Sequence, residues 1–284
     1  MDMLVTPHWL SKQLSLNNNL CIIDCRFSLA DPDAGQQAYD QQHIPGAVFA
    51  DLEKDLSGQV VPGETGRHPL PDVNRLNEQL RTWGINQDSI VVVYDQQDSS
   101  QAARLWWLLT WLGKTQVAIL DGGFQAWQEA KLPVTTELPT KILGNFVGQP
   151  DSDMWVSTDE VLQQLSQPKW CLVDARAAMR YSGEQEPIDP IAGHIPGALN
   201  LPFQGNLTKI GCFLPKHQLA ERFKALPVKE VTDLVCYCGS GVTACHNIFA
   251  MELAGIGRPR LYPGSWSEWV ASASRPVAVV QNKG

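Results

Sequence analysis

Short apolar runs alternate with helical patterns along the whole chain. In the first half the runs lie near Leu20–Asp24, Ala47–Phe49, Ile90–Tyr94 and Val117–Leu120, and helical patterns fall over 6–14, 72–83 and 100–112. Gly84 and Gly113 close the last two helices, because glycine takes the left-handed conformation at a helix end without a Cβ penalty. In the second half, runs near Cys171–Asp174, 198–201, Leu234–Tyr237 and 260–262 match those of the first, and a further helix is expected over 243–254. Strands of this length separated by helices predict parallel sheets with crossover connections. The fold class is therefore α/β, each half a parallel sheet flanked by helices, and such sheets bind ligands beyond the carboxyl ends of their strands.

The two halves are copies of one unit. Ile22-Ile23-Asp24-Cys25-Arg26 returns as Leu172-Val173-Asp174-Ala175-Arg176, and His43-Ile44-Pro45-Gly46-Ala47 as His194-Ile195-Pro196-Gly197-Ala198. Leu120-Asp121-Gly122-Gly123-Phe124-Gln125-Ala126-Trp127 is echoed by Tyr262-Pro263-Gly264-Ser265-Trp266-Ser267-Glu268-Trp269. Matched landmarks in the same order mean tandem duplication. The expected division is a first domain over 1–137, a linker over 138–152 and a second domain over 153–284. A Pro- and Gly-rich insertion over 58–71 is visible only in the first copy, and long loops of this kind are often functional.

The second copy contains Val235-Cys236-Tyr237-Cys238-Gly239-Ser240-Gly241-Val242-Thr243-Ala244. A strand that ends in a cysteine, then a small-residue loop, then a helix, builds an anion-binding nest around the side chain at the strand's end. Glycines 239 and 241 let the amides from Gly239 to Ala244 turn inward, and the first turn of the following helix adds partial positive charge. Both favour thiolate, the nucleophilic form. Cys238 is thus the candidate nucleophile, while Cys236 reads as an ordinary buried strand cysteine. In the first copy the corresponding segment is Val92-Val93-Tyr94-Asp95-Gln96-Gln97, and a carboxylate cannot do thiolate chemistry. Cysteine phosphatases use a similar loop with an arginine six positions after the nucleophile to clamp phosphate. Ala244 stands there, so the loop offers amides and the Ser240 and Thr243 hydroxyls to a group of lower charge.

Charge and cysteine usage narrow the partners. A formal charge of -8 argues against nucleic acid or an anionic membrane surface, yet leaves room for a local site for a small anion. No apolar run reaches the ~18–20 residues that span a bilayer, and no basic segment followed by an apolar core marks a signal peptide. Seven irregularly spaced cysteines form no disulfide framework, and none of them pairs with histidines at zinc spacing. A cytoplasmic protein without metal is expected.

The tandem layout, the paired His-Ile-Pro-Gly-Ala and Asp-x-Arg segments and the Cys238 loop resemble the two-domain rhodanese family of sulfurtransferases over nearly the whole chain. The loop Cys-Gly-Ser-Gly-Val-Thr is similar to the branch that uses 3-mercaptopyruvate; members preferring thiosulfate more often carry basic residues after the cysteine. The resemblance implies a Cys238 persulfide that passes sulfur to a thioredoxin-like protein, a small thiol or cyanide, with no organic cofactor. Persulfide anion and inward amides suit one another. By the same resemblance Arg180 holds the donor's carboxylate, for which a guanidinium is well shaped. A second family arginine is missing, since Glu186-Pro187-Ile188-Asp189-Pro190 has Ile188 in its place, and Arg67 or His68 is the expected substitute. His68 is also similar to a histidine paired with the loop serine, here Ser240, and with an aspartate, here Asp55 or Asp51. Arg176 and Arg26 recur in both copies and read as structural, as do His43 and His194. Two alternatives stand beside this expectation: a thiosulfate:cyanide transferase, and a persulfide carrier with little small-molecule turnover.

Overall fold

The computed structural model describes residues 1–16, 19–140, 142–166, 168–228 and 230–280. Lys141 of the expected linker lies outside them. The chain divides into two compact units. The first gathers Met1–Gly58, Pro71–Asp151 and Leu207–Phe213; the second gathers Gln59–Leu70, Ser152–Asn206 and Leu214–Gly284.

The first unit runs β1 (Leu4–Val5), α1 (Pro7–Leu16), β2 (Leu20–Asp24), α2 (Ala34–Gln41), β3 (Ala47–Phe49), α3 (Val73–Thr82), β4 (Ile90–Tyr94), α4 (Ser100–Trp111), β5 (Val117–Leu120) and α5 (Gly123–Glu129). Its strands pair in the order β1-β5-β4-β2-β3, all parallel. The second unit runs α6 (Thr158–Gln164), β6 (Cys171–Asp174), α7 (Ala178–Ser182), β7 (Leu199–Asn200), α8 (Lys216–Phe223), β8 (Leu234–Tyr237), α9 (Thr243–Leu253), β9 (Arg260–Leu261) and α10 (Ser265–Trp269). Here the order is β7-β6-β8-β9, again parallel. The expected strands are therefore present, and Gly84 and Gly113 take φ of 81° and 84° at the ends of α3 and α4. The pattern did not mark α2, α5, α6, α7, α8 or α10, none of which is longer than 8 residues.

Equivalent residues fill both cores. Ile44, Val92, Tyr94, Phe124 and Trp127 pack together in the first unit, and Ile195, Val235, Tyr237, Trp266 and Trp269 in the second. The Asp-x-Arg segments are buried ion pairs: Arg26 forks onto Asp24 and reaches the Gln42 carbonyl, and Arg176 forks onto Asp174 and reaches the Gly193 carbonyl. Each guanidinium also lies over an aromatic ring, Phe124 or Trp266. His43 stacks on Tyr39 and His194 on Tyr181, each hydrogen-bonded through Nδ1 to that tyrosine's carbonyl at 2.7 Å. Both histidines are structural fixtures.

The insertion has a counterpart that the sequence concealed. Residues 207–213 form a small hairpin in the first unit, bridged Leu207 to Phe213, with the Phe213 amide donating to Asp121 at 2.9 Å. Each unit thus takes one arm from the other half of the chain. Segment 142–151 belongs to the first unit, where the amides of Gly144 and Phe146 donate to the carbonyls of Arg81 and Ile85. No helix among the described residues is long and apolar enough to cross a membrane.

Removing one partner of a fully buried ion pair leaves an uncompensated charge and costs about 3–5 kcal/mol. Asp174→Ala is expected to lower stability by that amount, read as a shift of the urea midpoint at unchanged slope.

Candidate active site

Strand β8 lies between β6 and β9, buried along its whole length, and delivers Cys238 to its carboxyl end. The turn after β9 grips the peptide units on either side of that cysteine. Ser265 Oγ accepts from the Cys238 amide at 3.1 Å and donates to the Tyr262 carbonyl at 2.9 Å. The Trp266 and Ser267 amides donate to the carbonyls of Cys238 and Gly239, both at 2.9 Å. Ser265 holds a φ of 55°, a conformation that disfavours a side chain. At the same place in the first unit stands Gly123.

Past the cysteine the chain doubles back. Gly241 has a φ of 77°, and its amide donates to the Cys238 sulfur at 3.2 Å. A methyl group on Gly241 would strike the Pro263 carbonyl oxygen. Val242 caps α9, whose first-turn amides at Thr243 and Ala244 have no carbonyl of their own helix to bond. Ala244 is fully buried, with no cation in its position. Cys238 itself is 2% exposed. Burial pushes up the neighbouring Cys236 thiol, as expected of an inert strand cysteine.

Arm 59–70 supplies the far side of this site within the second unit. The Arg67 amide donates to Ser267 Oγ at 3.1 Å, and His68 Nδ1 is hydrogen-bonded to Ser240 Oγ at 2.8 Å. Arg67 Nη1 pairs with Asp189. From α7, Arg180 meets the other oxygen of Asp189 at 2.9 Å and binds Glu186 through Nε at 3.0 Å and Nη2 at 2.8 Å. A methyl group built on Gly239 would lie 2.8 Å from Arg67 Nη2 and 3.5 Å from Arg180 Nη1. Both guanidiniums therefore rest on the loop beside the cysteine, and glycine makes that approach possible. Among the described residues, neither of these two nitrogens is taken up by a hydrogen bond.

The two acids holding the arginines differ. Burial pushes the Asp189 carboxyl up, and Arg67 and Arg180 offset only part of this. Burial also works on Glu186, but hydrogen bonds from Arg180 and from the Asp189 and Ile188 amides outweigh it and hold its carboxyl below the ordinary value. Ile188 is 42% exposed and offers no donor of its own to an anion.

The structure thus brings Cys238, Gly239, Ser240, Gly241, Val242, Thr243, Ala244, Arg180, Arg67 and His68 into one unit. Asp51 and Asp55 fall in the other, where Asp55 accepts from the Asp51 amide at 2.9 Å and Asp51 binds Lys54. Burial pushes the Asp55 carboxyl up. Ser265, Glu186 and Asp189 were missed. Only Ser265 left a signal, a serine aligned with a glycine of the other copy.

In the first unit the same place is filled from within. Asp95 accepts from the amides of Gln97, Ser99, Gln101 and Ala102 at 3.0–3.2 Å. Burial and the nearby Asp98 push its carboxyl up to about 7. The cradle there is closed by its own carboxylate.

The chain is similar to proteins named as sulfurtransferases. The Rhodanese-like domain family matches residues 6–130 and 157–272. A Pseudomonas aeruginosa protein named "Probable 3-mercaptopyruvate sulfurtransferase" is 53% identical over 277 residues, 97% of each chain. The bovine thiosulfate sulfurtransferase is 32% identical over 99% of this chain and 96% of its own. The crystal structure of the Escherichia coli 3-mercaptopyruvate sulfotransferase SseA superposes with a TM-score of 0.80 at 32% identity, covering 94% of this chain and all of that one.

Gly241→Ala forces a left-handed alanine against Pro263, at a cost of at least about 1–2 kcal/mol. It is expected to lower the melting temperature and to slow alkylation of Cys238, followed by peptide mass mapping.

Proposed function

The chain belongs to the rhodanese family of sulfurtransferases, and we propose that it takes sulfur from 3-mercaptopyruvate onto Cys238 and hands it to a thiol or cyanide. One observation carries the reading: a sulfur that receives a main-chain amide lies beside a glycine on which two guanidiniums rest. A keto-acid donor has a carboxylate for Arg67 and Arg180 to hold while its sulfur meets Cys238, which is catalysis by placement. Arg67 takes the part of the arginine missing at Ile188. The resemblance of the P. aeruginosa protein supports the same donor, and the absence of basic residues from Gly239 to Ala244 fits it better than thiosulfate.

In the first half-reaction the Cys238 thiolate attacks the donor's sulfur, the carbon–sulfur bond breaks, and the carbon leaves as the enolate of pyruvate. The proton carried by the transferred S–H ends on that carbon. In this reading Ser240, hydrogen-bonded to His68, relays that proton. Persulfide anion remains on Cys238, faced by the Gly241 amide and the first turn of α9, a stabilisation by fixed dipoles. In the second half-reaction an acceptor thiolate or cyanide attacks the outer sulfur and restores the Cys238 thiolate. A covalent intermediate of this kind gives ping-pong kinetics.

On this reading 153–284 is the catalytic domain, completed by arm 59–70; 1–137 is the domain without a nucleophile and 138–152 joins them. Seven free cysteines fit a reducing, cytoplasmic setting. A thioredoxin-like protein or a small thiol is the natural acceptor there.

Incubation with 3-mercaptopyruvate alone should add the mass of one sulfur atom to the protein, and Cys238→Ser should abolish both that gain and turnover. Arg180→Ala and Arg67→Ala should each lower kcat/KM for 3-mercaptopyruvate roughly ten- to a hundredfold, chiefly through KM, as loss of a charge-assisted hydrogen bond predicts. Turnover by Cys238→Ser at the wild-type rate would overturn the reading.

A further inference from the structure

Asp189 stands between the two arginines that face the donor. One of its oxygens pairs with Arg67 and the other with Arg180, and its side chain is 2% exposed. Glu186 binds Arg180 and also Arg176, the latter at 3.2 Å, while Asp174 holds Arg176 from its other side. Three guanidiniums, Arg67, Arg176 and Arg180, are thus met by three carboxylates, Asp174, Glu186 and Asp189. The cluster is formally neutral before any donor enters, although it turns one nitrogen of Arg67 and one of Arg180, neither hydrogen-bonded among the described residues, toward the loop at Gly239. Asp174 and Arg176 have counterparts in Asp24 and Arg26 of the first unit, so that pair belongs to the fold. At Asp189 the carboxylate is kept buried beside the site, despite a desolvation cost that an amide would avoid.

We infer that Asp189 sets the charge of the donor: by cancelling one cation over Gly239 it admits a monocarboxylate sulfur donor and disfavours a dianionic one such as thiosulfate. This rests on the sulfur-transfer reading above. It assigns Asp189 a positioning and specificity-determining role, exercised through Arg67 and Arg180. The physical reason is that the energy of an anion near a fixed charge scales with the anion's own charge. Removing the negative charge of Asp189 strengthens the hold on a dianion twice as much as on a monoanion. At separations of a few ångströms in a partly solvated site, the surplus amounts to roughly tenfold in relative binding.

The test is the ratio of kcat/KM for thiosulfate to kcat/KM for 3-mercaptopyruvate, measured with cyanide as the common acceptor. Asp189→Asn, which keeps the shape and removes the charge, is expected to raise that ratio roughly tenfold, chiefly through the KM for thiosulfate. Asp189→Glu keeps the charge and should leave the ratio near the wild-type value, which separates charge from loss of packing. Acid provides a second readout. Protonation of Asp189, whose carboxyl is raised by burial against the pull of Arg67 and Arg180 and with the help of Glu186, removes the same charge. The wild-type ratio should therefore climb as pH falls, while that of Asp189→Asn stays flat. An Asp189→Asn ratio within about twofold of wild type, with both donors turned over, overturns the inference and leaves the sulfur-transfer reading standing. Wild-type protein that turns over neither donor overturns both. If Asp189→Asn fails to fold by circular dichroism, the wild-type pH series decides: a ratio flat across the acid range in which the protein stays folded overturns the inference.

Discussion

A sulfur at the end of a central strand becomes useful when the main chain just beyond it turns back to meet it, and the Gly241 amide 3.2 Å from Cys238 is that turn. The contact requires a φ of 77° with the Pro263 carbonyl pressed against the Cα, so only glycine fits both demands. Ser265 completes the constraint from the opposite side by taking the Cys238 amide. Its left-handed backbone costs something on the order of 1 kcal/mol. That is a small price for fixing where the sulfur points.

The duplicated half shows the same loop without a cysteine. Asp95 gathers four amides onto its own carboxylate, whereas in the second unit the Gly241 amide donates to the Cys238 sulfur. Both loops are still pinned in the same way by the turn after the last strand: Phe124 and Gln125 amides bond the carbonyls of Asp95 and Gln96, as Trp266 and Ser267 do those of Cys238 and Gly239. The scaffold for an anion site is therefore common to both copies. A cysteine whose sulfur accepts a main-chain amide is found in one.

Much of this was legible in the sequence because the repeat made each half a template for the other. The strands, the α9 helix and the place of Cys238 at the end of β8 follow from local pattern and spacing, which depend on neighbours along the chain. The structural reading of His43, His194, Arg26 and Arg176 followed from their recurrence. What stayed hidden depends on contacts between distant residues. Nothing around Asp189 announces that it meets Arg67, 122 positions away, or that Ser265 takes the amide of a cysteine 27 positions earlier. The arm over 207–213 escaped because a seven-residue hairpin with one bridge has no periodicity to detect. Ile188 drew attention as a missing arginine, whereas the second guanidinium beside Gly239 is that of Arg67, brought there by the fold and not by the local segment.

The duplication also works as an internal control on the buried charges. Pairs present in both units, Arg26 with Asp24 and Arg176 with Asp174, cross their segments in the same geometry and touch equivalent aromatic rings, so their presence is explained by the fold. Arg180, Glu186, Asp189 and the arm's Arg67 join the second unit alone, next to the one loop that keeps a thiol. Buried ion pairs are expensive to desolvate and seldom increase stability over apolar packing. A network of this kind restricted to the copy with Cys238 is therefore better explained by what it presents to the loop than by what it adds to the core. Its acids hold each guanidinium by one edge and leave the other edge turned toward Gly239, which fixes the direction of the remaining donors as firmly as the glycine turn fixes that of the sulfur.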